Sequence, residues 1–255
     1  MTELHIESYG SGQPLVLVHG WAMHSGIWGE FALELAKHYR IILVDLPGHG
    51  RSAPIASFTL ETIASRLIEA VAEKKCSWLG WSLGAQVVLQ IAHNYPDCVD
   101  KLMILTGTPC FVARNNWPGM AESVLDSFAE SLLIDREKTL LRFVSLQVKD
   151  GDDEKTILKH LKQAVFAAPF PTQETLLAGL NILKTVDLRQ EMTSLMQPVC
   201  AILGSHDALV PAAAGQAMQR SLPSLQLYLL QRAGHTPFLT HSQQTAAIIR
   251  QFMDI

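Results

Sequence analysis

The stretch Gly80-Trp81-Ser82-Leu83-Gly84 constrains this chain more than any other. It follows the short apolar run Cys76 to Leu79 and precedes a helical pattern carried by Ala85, Val87, Val88, Leu89, Ile91 and Ala92. A serine held at a tight strand-to-helix turn needs small residues two positions before and after it, because the bent backbone brings those positions against neighbouring chain. Gly80 and Gly84 meet that need. A helix starting near Leu83 aims unpaired N–H groups and a positive dipole end at the place where negative charge develops in acyl transfer. The five-residue pattern alone occurs by chance; the strand-like run before it and the helix after it are what give it chemical meaning.

Taken in order, residues 3–9 and 14–18 read as strands, the second an unbroken apolar run suited to burial on both faces. It ends in His19-Gly20-Trp21. A helix is expected over 28–38 and a strand over 40–44, which runs into the turn-rich Asp45-Leu46-Pro47-Gly48-His49. Asp45 reads as a turn-closing acceptor and His19 as a hydrogen-bonding structural residue, not as catalytic groups. Residues 59–74 form an amphipathic helix and 101–106 a further buried strand. From 119 to 184 the strand signal vanishes, and helices are expected over 121–133, 136–148, 153–166 and 173–184. Strands resume at 198–203, followed by Gly204-Ser205-His206-Asp207, and at 225–230, followed by Ala233-Gly234-His235; a helix over 242–253 closes the chain.

Ser82, Asp207 and His235 thus each follow a strand and occur in the chain order nucleophile, acid, base. That order is the one expected of a serine triad on the α/β-hydrolase fold. The predicted fold class is accordingly α/β, a mostly parallel central sheet flanked by helices, with a helical cap inserted after strand 6. The expected division is a core of residues 1–110 and 190–255 and a cap of residues 111–189 over the site, excluding water and shaping the pocket. In this layout the loop after the second strand and the residue after the nucleophile supply the oxyanion-hole N–H groups, here Trp21 and Leu83. His206 reads as a loop residue, and His24, His93 and His241 as surface or capping residues. No metal-ligand spacing, phosphate-binding loop or dinucleotide fingerprint is apparent, so no metal and no cofactor are expected.

A net charge of −4 gives no global attraction to nucleic acid or an anionic membrane. No run reaches membrane-spanning length, and no secretory signal is visible at the N-terminus. The four cysteines, Cys76, Cys98, Cys110 and Cys200, are widely spaced. Reduced thiols in a cytoplasmic monomer are the simplest expectation.

Beyond the triad, seven segments carry a closer resemblance: His19 to His24, Leu43 to Gly48, Trp78 to Gly84, Cys110 to Arg114, Asn116 to Gly119, Arg142 to Gln147, and Leu180 to Arg189. With them the chain resembles the BioH family, the pimeloyl-[acyl-carrier protein] methyl ester esterases of biotin synthesis, over nearly its whole length. The triad motifs are widely shared; the segments at 110–119, 142–147 and 180–189 are the specific ones. The resemblance implies an acyl pocket lined by Trp21, Ser82, Leu83, Phe143, Val144, Ser145, Leu146, Gln147 and His235. It also implies a carrier-protein docking patch at Lys138, Arg142, Lys155 and Lys159, where Lys stands at positions the family fills more often with Arg. Lysine keeps the attraction to an acidic partner but loses bidentate geometry. Ala85 stands where a glycine is common. Read from the residues alone, Lys138 and Arg142 are four apart on one expected helix, while Lys155, Lys159 and Lys162 share a face of the next. An ordinary solvated face is the competing reading, given Glu137, Asp152, Asp153 and Glu154 nearby.

The function expected is a serine carboxylesterase acting on a carrier-linked methyl ester. A broad short-chain esterase or carbon–carbon bond hydrolase on the same fold is the first alternative, and a non-catalytic binding protein the second.

Overall fold

A computed structural model describes residues 4–147 and 154–254, without the side chains of residues 154, 155 and 160. Among the described residues seven strands form one sheet in the order β1-β3-β2-β4-β5-β6-β7. They are β1 (Ile6–Tyr9), β2 (Pro14–Val18), β3 (Arg40–Val44), β4 (Cys76–Trp81), β5 (Val99–Leu105), β6 (Val199–Gly204) and β7 (Gln226–Leu230). Only β1 is antiparallel, pairing Ile6 with Val44 on β3; every other pairing is parallel. The apolar runs explain the order of burial. Leu15 to Val18, Leu102 to Leu105 and Val199 to Leu203 are almost wholly buried, as strands covered by helices on both faces must be. β7, at the edge, is half-exposed.

The flanking helices are α1 (Gly29–Leu35), α2 (Leu60–Val71), α3 (Leu83–Asn94), α8 (Arg189–Thr193), α9 (Ala212–Ser221), α10 (Pro237–Thr240) and α11 (Ser242–Met253). α2 opens on a capping residue, the Thr59 hydroxyl accepting from the Thr62 N–H, and stops where Ala72 turns left-handed at φ 53°. Between β5 and α8 the described residues form four helices, α4 (Glu122–Ile134), α5 (Arg136–Leu146), α6 (Glu154–Phe166) and α7 (Gln173–Thr185). α5 and α7 begin at side-chain caps, Asp135 and Thr172. None of the helices among the described residues is long and apolar enough to cross a membrane.

The four-helix insertion lies against the ends of the strands through specific contacts. The Trp21 indole N–H donates to the Leu176 carbonyl of α7 at 2.9 Å, and the His24 ring meets the Ala164 carbonyl of α6 at 2.6 Å. The Phe143 ring of α5 stands edge-on to Trp21 with centroids 4.7 Å apart. Chain order places a topological switch point at this end of the sheet. β2 leads to β3 on one side of it, and the chain then returns to β4 on the other, so the loops after β2 and β4 diverge.

Three differences from the sequence reading have physical causes. Five described strands precede the insertion, not six, because a single strand, β1, covers β3 on the N-terminal side. The expected helix at 28–38 is shorter, a 3-10 turn at Ser25–Trp28 followed by α1, since Gly29 at φ 39° breaks the path between them. Residues 212–221 form α9, which the sequence reading does not assign. Its buried face consists of Ala214, Gly215, Ala217 and Met218, too small a set to stand out as an apolar stripe. The expected helix ends at 148 and 153 lie outside the described residues.

Candidate active site

The serine at the end of β4 sits in a backbone conformation open to few residues, φ 56° and ψ −116°. Two close approaches hold the turn. A Cβ on Gly80 would lie 2.2 Å from the Gly84 carbonyl oxygen, and one on Gly84 would lie 2.4 Å from that of Val18. Neither site admits a side chain, which is the packing reason for the glycines on either side of Ser82. Ser82 is 3% exposed, and its N–H donates to the Leu105 carbonyl at 3.1 Å, tying the elbow to the end of β5. Leu83 opens α3, so its N–H belongs to the first turn, which has no acceptor within the helix. Gly20 packs against the same turn; a Cβ there would lie 3.2 Å from the Ser82 Cβ, which sets the Gly20-Trp21 peptide beside the serine.

Asp207 follows β6 and His235 follows β7, and the fold brings them into contact. The His235 Nδ1 lies 2.8 Å from the Asp207 Oδ2, with both side chains fully buried. The other Asp207 oxygen accepts the N–H groups of Leu209 at 2.8 Å and Val210 at 3.0 Å, so the carboxylate is fixed in rotation. With Nδ1 donating to the acid, Nε2 is the ring's free acceptor. It is buried and has no hydrogen-bond partner among the described residues. A histidine oriented in this way by a carboxylate, with its second nitrogen unoccupied, is chemically able to accept a proton from a serine hydroxyl. The His235 carbonyl in turn accepts from the Trp81 indole and the Thr106 hydroxyl, each at 2.8 Å. Sequence reasoning has no signal for these two, because their common acceptor is a main-chain atom over a hundred residues away.

The other residues singled out in the sequence separate clearly. Trp21, Phe143, Val144 and Gln147 are buried, and Leu146 is partly so. Among the described residues the Gln147 amide has a partner for neither its oxygen nor its nitrogen, while its carbonyl accepts the His235 N–H at 3.3 Å. Ser145 differs from its neighbours: it is exposed, and its hydroxyl donates back to the Leu141 carbonyl at 2.9 Å. The stretch 143–147 therefore does not face one way, as a helical turn cannot. Lys138 and Arg142 are exposed on α5 and Lys159 on α6, which packs beside it. The Arg142 guanidinium lies over the Phe128 ring at 5.5 Å. The Lys155 side chain lies outside the described residues.

His19 makes structural hydrogen bonds, as the sequence reading expects of it. His19 donates to the Gly20 carbonyl through Nδ1 and accepts the Leu46 N–H at 3.0 Å through Nε2. Asp45 closes its turn by accepting from the Ser25 and Arg51 N–H groups. Burial, reinforced by the charge of His49, pushes the His19 pKa down to about 3, and burial pushes that of His49 down to about 4. Both stay neutral in the fold but charge near 6.5 once unfolded. Their contribution to stability is complete above pH 6.5 and is lost as pH falls toward about 4 for His49 and about 3 for His19. Each steepens the acid side of the stability curve by up to about 1.4 kcal/mol per pH unit. Urea unfolding of His49→Gln from pH 7 to 4.5 is expected to show a shallower decline than the parent; equal slopes refute the assignment.

Comparison with known proteins fits this geometry. The sequence model of the alpha/beta hydrolase fold matches residues 13–242. A pimeloyl-[acyl-carrier protein] methyl ester esterase from Methylococcus capsulatus is 42% identical over 250 residues, covering 98% of each chain. One of the same name from Nitrosomonas europaea is 42% identical over 248 residues, 96% of this chain and 97% of its own. The chain belongs to the pimeloyl-[acyl-carrier protein] methyl ester esterase family. Membership extends through the helical insertion, since the matched length leaves no room to omit it. Among solved structures, an esterase from Exiguobacterium antarcticum superposes on this family member with a TM-score of 0.90 at 23% identity, over 100% of this chain and 96% of that one. A bromoperoxidase from Bacillus anthracis does so at 0.89 and 22%, again over 100% and 96%. At such identities the superpositions describe the shared fold and not a shared substrate.

Proposed function

We propose that this protein hydrolyses the methyl ester of pimeloyl-[acyl-carrier protein], releasing methanol and the free carboxylate in biotin synthesis. The observation that carries the reading is the identity to esterases of that name over 98% of each chain, insertion included, in a chain that also holds a buried His235–Asp207 pair and a strained serine at the end of β4. In the first half-reaction the Ser82 Oγ bonds to the ester carbonyl carbon while its proton passes to the His235 Nε2. The oxyanion is met by the N–H groups of Trp21 and Leu83. The tetrahedral adduct collapses by breaking the bond to the methoxy oxygen, which takes the proton from His235 and leaves as methanol. Water repeats the sequence on the acyl-enzyme and frees Ser82.

The helices of residues 111–189 act as a cap in this reading. Phe143, Val144 and Leu146 offer an apolar wall to a methylene chain, and the unpaired Gln147 amide offers hydrogen bonds to a polar end of it. Lys138, Arg142, Lys155 and Lys159 receive the acidic carrier protein in the cytoplasm. Free thiols at all four cysteines suit that reducing compartment.

The test is intact-mass analysis of the methyl-pimeloyl carrier incubated with the enzyme. Loss of one methylene's mass is expected; an unchanged carrier alongside rapid cleavage of p-nitrophenyl butyrate identifies a general short-chain esterase instead. Docking has its own prediction. Reversing charge at Arg142 and Lys159 to Glu is expected to lower kcat/KM on the carrier substrate roughly tenfold more than on p-nitrophenyl butyrate. Equal losses on both refute docking through these residues.

A further inference from the structure

We propose that Thr106, acting with Trp81, is a positioning residue that registers the catalytic base against the nucleophile by clasping the main-chain carbonyl of His235; this rests on the triad reading above. His235 needs such a device. Its loop leaves β7, the half-exposed edge strand, and runs through the exposed Gln231 and Arg232 before turning inward. Its side chain is oriented by Asp207, but a ring can be oriented correctly and still stand at the wrong distance from the serine. Distance is set by the backbone, and the His235 backbone is held on both sides. The N–H donates to Gln147, at the end of α5, and the carbonyl receives the two donors from the core.

Those two donors are tied to the serine by the shortest available routes. Trp81 is the residue before Ser82, and its ring also packs beside the His235 ring with centroids 5.8 Å apart. Thr106 follows Leu105, whose carbonyl accepts the Ser82 N–H. The Thr106 N–H donates to the Ile202 carbonyl at 2.8 Å, on the strand that delivers Asp207. One residue thus stands where the routes to the nucleophile, the acid and the base meet.

The backbone of Thr106 shows that its side chain is there for a reason. It lies at φ 39°, fully buried, in a region that β-branched residues rarely enter. Glycine would occupy that conformation freely, and Gly107 follows directly, so the turn itself does not require threonine. What glycine lacks is the hydroxyl, and the hydroxyl's partner is the His235 carbonyl. Strain of this kind persists where surrounding structure over-determines it, and it gathers at functional sites.

The test uses p-nitrophenyl butyrate and the full-length enzyme. Thr106→Val keeps the shape and removes the donor; kcat is expected to fall about tenfold or more, with KM within about twofold, because small displacements of a reacting pair cost rate rather than binding. Thr106→Ser restores the hydroxyl and is expected to keep at least about half of kcat. Trp81→Phe, which removes the other donor, is expected to act like Thr106→Val and decides the matter if the valine variant does not fold. Near-UV circular dichroism at the assay temperature reports the folded fraction. The proposal is overturned if kcat in the folded variants stays within about twofold of the parent, if its fall merely tracks unfolding, or if serine fails to rescue. Failure of the triad reading looks different, as turnover surviving in Ser82→Ala.

Discussion

Replacing Ser82 with alanine is expected to abolish turnover of both the carrier-linked methyl ester and p-nitrophenyl butyrate, lowering kcat by a factor on the order of 10⁴ or more. The size follows from what is removed. Without Oγ no acyl-enzyme forms, and only water, unpositioned for attack, remains to react with an ester held near the oxyanion donors. The fold is expected to survive. Alanine bears the same Cβ as serine and meets the φ of 56° no worse, and no turn contact depends on the hydroxyl, since the elbow is tied down through the Ser82 N–H and the glycines on either side. Thermal unfolding should therefore agree with the parent to within a degree or two. Intact-mass analysis of the carrier provides the check, with the variant leaving the methyl group in place. Activity retained at even a tenth of the parent's would remove Ser82 from the role of nucleophile.

Much of this site is legible in the sequence because its parts announce themselves locally. The elbow needs glycine at two fixed offsets, and the strands that deliver Ser82 and Asp207 are short and mostly apolar, so chain order alone singles out Asp207 and His235, which the fold puts 2.8 Å apart. What stays hidden depends on partners distant in sequence or on backbone atoms. Thr106 looks like the polar end of a strand until its hydroxyl is found on the His235 carbonyl. His24 reads as a capping histidine, and it does accept the Gly26 N–H, but its other nitrogen reaches across to α6. The helix at Ala212–Ser221 escapes for a different reason, that four small or unbranched buried side chains draw no stripe. Ser145 carries the opposite lesson. A resemblance transfers a run of positions as a block, whereas a helix turns successive residues through about 100° and exposes one of them.

The insertion and the base are mechanically linked. The His235 N–H rests on the carbonyl of Gln147, the residue at which α5 ends, so the insertion shares in holding the His235 backbone. The carbonyl side of the same peptide is fixed to Trp81 and Thr106 in the core, so the peptide's two hydrogen-bonding groups are divided between insertion and core.

Asp207→Asn is expected to have the second largest effect, a fall in kcat of about 10³ to 10⁴-fold with KM little changed. The asparagine can keep its oxygen toward the Leu209 and Val210 N–H groups, which Oδ1 of the acid accepts now, because those two bonds demand an acceptor. Its NH₂ then faces the His235 Nδ1. A donor at that position forces Nδ1 to accept, which moves the ring proton to Nε2 and leaves no lone pair to take the proton from Ser82. Geometry is conserved and chemistry is lost. Because hydroxide can bypass a missing base, the residual rate is expected to climb in proportion to hydroxide concentration. A pH profile of kcat/KM on p-nitrophenyl butyrate reads this directly. Asp207→Ala, which leaves Leu209 and Val210 N–H unpaired, is expected to lose stability as well as rate, and the contrast separates orientation of the base from support of the loop. If Asp207→Asn loses less than about tenfold in kcat, the acid that orients His235 lies elsewhere.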